Sequence, residues 1–175
     1  MYATIIQDVD EILNDTDLKN KGKRLEDFIA ALFSTIPGVE IVARDIKNTK
    51  LSQEIDISLW NDRLPHGLPF IDHICIIECK NWGSKASSSD ITWFEQKIAD
   101  SCKSVGIFIS ANGITGSART NTAAYDSVLN AYKRGRTIIV ITLHEAKSLT
   151  CHDDLIKLIK RKLCEMAIGV INIAV

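Results

Sequence analysis

Glu78-Cys79-Lys80 ends the apolar run Ile74-Cys75-Ile76-Ile77, and a second strand-like run ahead of it carries Asp56. A strand sends successive side chains to opposite faces, so Glu78 and Lys80 share one face while Ile77 and Cys79 share the other. If the segment 54–60 pairs beside this strand, Asp56 adds a second carboxylate to the same place. Two carboxylates form the oxygen-rich pocket that a hard cation such as Mg²⁺ needs, and the lysine then stands beside a water on that cation.

An acid-x-Lys triplet has little specificity by itself, and this chain holds five: Asp17-Leu18-Lys19, Asp45-Ile46-Lys47, Glu78-Cys79-Lys80, Glu95-Gln96-Lys97 and Glu145-Ala146-Lys147. Context separates them. The first and fourth fall in helical patterns, where residues i and i+2 diverge. Glu145 follows a strand, but no acid-bearing strand leads into it. Asp45 is the serious rival, because 39–43 reads as a strand, yet only a helix precedes it and nothing earlier supplies a second carboxylate. Glu78 survives.

The elements that must position these residues follow from periodicity and punctuation. Ile5, Ile6, Val9, Ile12 and Leu13 recur at helical spacing, and Asp15-Thr16-Asp17 offers a break and a cap. Leu25, Phe28, Ile29, Leu32, Phe33 and Ile36 predict a second amphipathic helix ending before Pro37-Gly38. Glu26 borders its apolar stripe and can face the sheet edge, whereas Asp27 points away. Strands are expected over 39–43, 54–60 and 73–80, the middle one alternating Ile55, Ile57 and Leu59 with Glu54, Asp56 and Ser58, and together they read as an antiparallel meander. The loop 61–70, with Pro65, Gly67 and Pro69, is either a plain surface connection or a contact for substrate or a second subunit.

Ser89 or Asp90 is expected to cap a helix running to about Cys102 with the stripe Ile91, Phe94, Ile98 and Cys102. A buried strand over 105–110, a helix over 117–134, a strand over 137–143 and a helix over 153–166 complete the order. Strand, helix, strand spacing implies a parallel crossover appended to the meander, hence an α/β fold with a mixed sheet flanked by helices. The apolar stretch 167–175 reads as a final strand or packed end. With 175 residues the chain fits one domain, comprising an N-terminal helical extension over 1–20 and a core over 22–163.

Net charge is −1 and the pI is about 6.4, so there is no global basic footprint of the kind that marks many nucleic-acid binders. Local basic clusters remain: Lys19, Lys21, Lys23 and Arg24; Lys47 and Lys50; Lys133, Arg134 and Arg136. Five scattered cysteines argue for a reducing compartment, and the absence of a signal pattern or a membrane-length apolar run points to the cytoplasm, with no membrane. Cys75 and Cys79 lie on the face opposite Glu78 and Lys80, and no second Cys or His pair follows at ligand spacing, which argues against zinc.

This order of elements, with Leu25-Glu26-Asp27-Phe28, Glu54-Ile55-Asp56-Ile57, Ile77-Glu78-Cys79-Lys80 and Ser110-Ala111-Asn112-Gly113-Ile114-Thr115, resembles the PD-(D/E)xK nuclease superfamily, and within it the Mrr-like restriction endonuclease branch. Ile55 stands where some relatives carry a proline. The resemblance implies a restriction-endonuclease-like core and hydrolysis of DNA phosphodiester bonds with Mg²⁺ or Mn²⁺. It implies that Asp56 and Glu78 hold the metal, that Lys80 orients water or neutralises charge on the phosphate, and that Glu26 assists.

Gln96 echoes a glutamine that some relatives place on the helix after the Glu-x-Lys strand, although it shares a stripe with Trp93 rather than Phe94. Asn112 and Thr115 lie in a segment that is either a turn and cap or a receiver of phosphate through backbone N–H groups. Trp82 and Trp93 are open to base stacking or to packing. DNA is the expected partner, with a homodimer and a partner chain for target selection both open. A restriction or defence effector, a structure-selective nuclease of the junction-resolvase type, and a non-catalytic nuclease-like binding module are the functions to distinguish.

Overall fold

The computed structural model describes residues 17–47, 54–81, 83–117, 119–120 and 122–173. The expected helix over 5–13, Trp82 and Lys50 lie outside the described residues. Five strands form one sheet in sequence order: β1 (Val39–Lys47), β2 (Glu54–Asn61), β3 (Ile74–Lys80), β4 (Val105–Ser110) and β5 (Thr137–Thr142). β1, β2 and β3 are antiparallel neighbours, and β3, β4 and β5 run parallel, as the expected meander plus crossover requires.

Two apolar layers cover the sheet. On one side Leu25, Ile29 and Phe33 of helix α1 (Leu18–Phe33) pack with Ile57, Leu59, Cys75, Ile77 and with Leu155 and Ile159 of α5 (His152–Ala167). On the other, Ile91, Phe94 and Ile98 of α2 (Ser88–Asp100) and Val128 of α3 (Ala124–Lys133) meet Ile76, Phe108 and Val140. Burying each such side chain contributes on the order of 2 kcal/mol, so the sheet is held firmly between the layers. A short helix α4 (Leu143–Lys147) follows β5 directly.

Several boundaries differ from expectation for local reasons. The start of α1 follows the expected cap: the Asp17 carboxylate accepts from the Asn20 backbone N–H at 3.4 Å and side chain at 2.9 Å, so the helix runs seven residues ahead of Leu25. The cap of α2 is Ser87, not Ser89 or Asp90. Asp90 is the third helical residue, and its carboxylate reaches back to the Ser87 N–H at 2.7 Å in a capping box. The helix expected from residue 117 starts only at Ala124. Gly116 sits at φ +100 with Thr122 O so close that a Cβ would lie 2.0 Å from it, and the chain closes a turn there instead of entering the helix.

The loop between β2 and β3 is not a loose surface connection. Fully buried Asn61 donates to the carbonyls of Leu68, Ile71 and Asp72 at 2.8, 3.0 and 3.3 Å, and its own oxygen accepts from the Arg63 N–H at 3.1 Å. After α5 the described residues, up to 173, form no further strand, and Ile171 tucks against the second layer, so this stretch packs as one of the two expected alternatives.

Candidate active site

The site forms where β2 and β3 part. Their pairing reaches Ile57 opposite Ile77, and beyond it the Asp56 carboxylate accepts the Cys79 backbone N–H at 2.7 Å. The alternation expected along β3 holds: Cys75, Ile77 and Cys79 face the α1 side, while Ile76 packs toward α2. Along β2 it breaks at one residue. Ile57 and Leu59 join the α1 layer, but Ile55 packs on the α2 side, across the position where Asp56 leaves the regular ladder.

Glu78 is 2 % exposed, and each of its carboxylate oxygens meets an ammonium. Lys80 Nζ lies 2.6 Å from Oε1, and Lys97 Nζ lies 2.5 Å from Oε2. Lys97 also donates to Glu54 O at 2.5 Å, which ties α2 to the start of β2. The approach of α2 depends on Gly106 of β4, where a Cβ would fall 2.7 Å from both Ile98 Cδ1 and Phe94 Cζ. Lys97 is the residue that sequence reasoning missed. Its signal was present, since it stands three residues after Phe94 on the edge of the buried stripe, whereas Gln96 is exposed and bonded to Asp100 at 2.7 Å.

Asp45, the rival acid-x-Lys set aside in the sequence for want of a second carboxylate, also stands at this corner. β1 pairs Arg44 with Ile57 and Ile46 with Ile55, so Asp45 stands opposite Asp56 across the hairpin, at φ 52. Its side chain is hydrogen-bonded to Glu26 of α1. Arg44 closes this corner, 2.6 Å from Asp27 and 3.9 Å from Glu26. Asp27 therefore faces β1 as Glu26 does, contrary to the expectation that it points away.

Four carboxylates are thus gathered around the start of β2, and the titration of two of them, Glu26 and Asp56, reflects it. Glu26 is raised from 4.5 to about 8 by burial first, then by its hydrogen bond to Asp45 and repulsion from Asp45 and Asp56, against which Arg44 pulls down. At neutral pH this favours the protonated form of Glu26. Asp56 is raised from 3.8 to about 6 by burial and by Glu78, while the Cys79 N–H, Lys80 and Lys97 pull it down. Burial lowers the Lys80 ammonium, but the Glu78 carboxylate outweighs this, so it stays charged. Burial pushes the Cys75 thiol up to about 12 and Cys79 well above its ordinary value, so neither offers the thiolate that zinc would need.

These donors suit a hard divalent cation: all are oxygens, and two carry raised affinities for protons that a cation would replace. Among the described residues no three Asp, Glu, His or Cys side chains already converge as a cage. Asp56 and Glu78 would supply two donors, and Mg²⁺ characteristically keeps several waters beside one or two carboxylates.

The segment after β4 lies against the site, with Ala111 N–H donating to Lys80 O at 2.9 Å. It does not open a helix, and the Thr115 N–H is engaged by Ala86 O at 2.8 Å, so Thr115 has no free amide for a phosphate. Asn112 is half-buried in the same turn. The start of α1 is at the same end of the sheet, because Asn81 Nδ2 donates to Lys21 O at 2.8 Å. Of the basic clusters, Arg134 is instead consumed in a two-pronged pair with Glu95, at 2.8 and 2.5 Å.

A mixed five-stranded sheet with carboxylates and a lysine at the ends of its central antiparallel strands is the restriction-endonuclease-like arrangement. The restriction endonuclease family model Mrr_cat matches residues 18–134, from α1 through α3. The chain belongs to this restriction endonuclease family, whose fold generally works with divalent metals. No curated protein matches the chain.

Proposed function

We propose that this protein is a divalent-cation-dependent deoxyribonuclease in which Asp56 and Glu78 hold Mg²⁺ or Mn²⁺ and Lys80 acts on the scissile phosphate. The observation that carries this reading is the meeting of Asp56, Glu78 and Lys80 at the end of β2 and β3, inside a family of restriction endonucleases. What a bound cation supplies there is Lewis-acid polarisation of the phosphate and a lowered pKa for water. Lys80 contributes a charge that neutralises developing negative charge on phosphate oxygens or orients the attacking water. Glu26 and Asp45, hydrogen-bonded to each other beyond Asp56, form an outer acidic pair suited to holding water or helping to place a second ion.

DNA is the substrate that the family indicates. Lys21 and Lys23 in the first turns of α1 and Lys47 at the end of β1 belong to elements that meet this end of the sheet, and they would line the approach. Neither a homodimer nor a partner chain is needed to complete the set of side chains described.

Plasmid and branched DNA incubated with Mg²⁺, with and without chelator, test this reading beside Lys80→Ala. Chelator-sensitive cutting that falls by orders of magnitude in the variant is the expected result. Binding without such cutting would replace the enzyme with a binding module, and a strong preference for the branched substrate would favour a structure-selective nuclease.

A further inference from the structure

The two faces of the sheet are not covered alike. On the side away from α1, helices α2 and α3 pack on Ile76, Phe108 and Val140 of β3, β4 and β5. Beyond them the β1–β2 part of that face is open: Val42 is 62 % exposed, Ile46 45 %, Trp60 40 % and Ile74 38 %. The register gathers these residues. Trp60 lies between Glu40 of β1 and Ile74 of β3, and Ile46 pairs with Ile55. Val42 is the extra residue of a bulge between Ile41 and Ala43, and alternation from core-facing Ile41 turns it to the open side.

Apolar residues exposed singly mean little, whereas several on one face mark an interaction site. Trp60 is fixed in place, its ring stacked on His73 with centroids 5.2 Å apart and its indole N–H donating to Asp62 at 2.9 Å. Tryptophan is enriched at interface hot spots, and an anchor held before contact loses little rotamer freedom on binding.

Charge decides the occupant. Exposed Glu40 and Asp62 adjoin Trp60, and exposed Asp72 stands two residues before Ile74 with the Ser104 hydroxyl donating to it at 3.2 Å. The strand residues that register and alternation place on this face, as far as Ile76, include no lysine or arginine. Such a border repels phosphate, which disfavours nucleic acid and anionic lipid. A second copy in a two-fold contact would set the same acids against each other. Residues 1–17 carry an apolar pattern but also five acidic residues and no lysine or arginine, so their charge mismatches too. In size, two strands about 4.8 Å apart present a strip roughly 10 Å wide, the diameter of one helix, where a third helix beside α2 would complete the layer.

We propose that the open β1–β2 face docks a partner polypeptide: an amphipathic helix whose apolar stripe covers Val42, Ile46 and Trp60 and whose flanking lysines or arginines meet Glu40, Asp62 and Asp72. This surface is distinct from the carboxylate centre and shares none of its side chains.

The test titrates the full chain with two synthetic helical peptides that share one leucine stripe and differ only in their flanking residues, lysine in one and glutamate in the other. Affinity and backbone amide shifts are measured together. The lysine peptide should bind about tenfold or more tighter than the glutamate peptide, with shifts concentrated in β1, β2 and the Trp60 indole. Trp60→Ser and Val42→Lys should each weaken the lysine peptide about tenfold or more. Glu40→Lys combined with Asp72→Lys should turn the preference toward the glutamate peptide. Amide spectra confirm that each variant is folded, and should Trp60→Ser not fold, Val42→Lys decides. Equal affinity for the two peptides, failure of both to bind, shifts on another surface, or wild-type affinity in a folded Trp60→Ser or Val42→Lys overturns the proposal. A dimer in sedimentation that Val42→Lys disperses would assign the face to a second copy, and duplex DNA shifting the same amides would assign it to nucleic acid; either result overturns it as well.

Discussion

Replacing Asp56 with Asn should abolish cleavage and yet stabilise the metal-free protein. Burial and the neighbouring Glu78 raise the Asp56 carboxyl from 3.8 to about 6, so between these values the folded protein holds a proton that the unfolded chain has released. Folding stability therefore falls as pH rises through this window, and above it the charged carboxylate costs the fold on the order of 3 kcal/mol, at 1.36 kcal/mol per pH unit. Asn carries no charge and keeps an oxygen to accept the Cys79 N–H. Denaturant unfolding in chelator should give nearly equal stabilities for wild type and Asp56→Asn near pH 4. By about pH 8 the variant should lead by about 3 kcal/mol, or roughly 6–12 °C in Tm for a chain of this size. Added Mn²⁺ should close or reverse the gap, since a cation that binds only the folded wild type stabilises it in proportion to RT ln(1 + [L]/Kd). A variant less stable than wild type in chelator at the higher pH, or a gap that does not change with pH, refutes the electrostatic reasoning.

Two further substitutions test the frame around the site. Asn61→Ala leaves three buried or half-buried carbonyls without their shared donor and should cost about 3 kcal/mol by urea unfolding, with the loop between β2 and β3 becoming sensitive to protease; an unchanged midpoint would show that this amide does not fasten the loop. Lys162→Met strands Glu145, its partner at 2.8 Å with both groups 5 % exposed, and should cost about 3–5 kcal/mol. Adding Glu145→Gln, which keeps the bond to the Thr142 N–H, should recover much of that loss in a double-mutant cycle, and strict additivity would contradict a buried ion pair.

The parts of this molecule that were legible in the sequence are those fixed by short-range rules. Strand alternation places Glu78 and Lys80 together and opposite Cys79, and the order of elements was enough to expect the mixed sheet and its meander. What was lost depends on tertiary approach. Lys97 reaches Glu78 only because Gly106 lets α2 lie close to β4, and Asp45 meets Glu26 because of the β1–β2 register, neither of which a helical or strand period encodes. Some signals were local and went unread: Ser87-x-x-Asp90 and Thr142-x-x-Glu145 are both capping boxes, and the second accounts for α4 and for Glu145 in its acid-x-Lys triplet. The late start of α3 follows from Gly116 against Thr122, a close approach that the polar run 117–122 does not announce.

Crystals of the protein soaked in Mn²⁺ and measured at a wavelength where manganese scatters anomalously address the central claim most directly. An anomalous peak in contact with the carboxylates of Asp56 and Glu78 is the predicted result. A peak seated elsewhere, or none at all in protein that still cuts DNA, would contradict it.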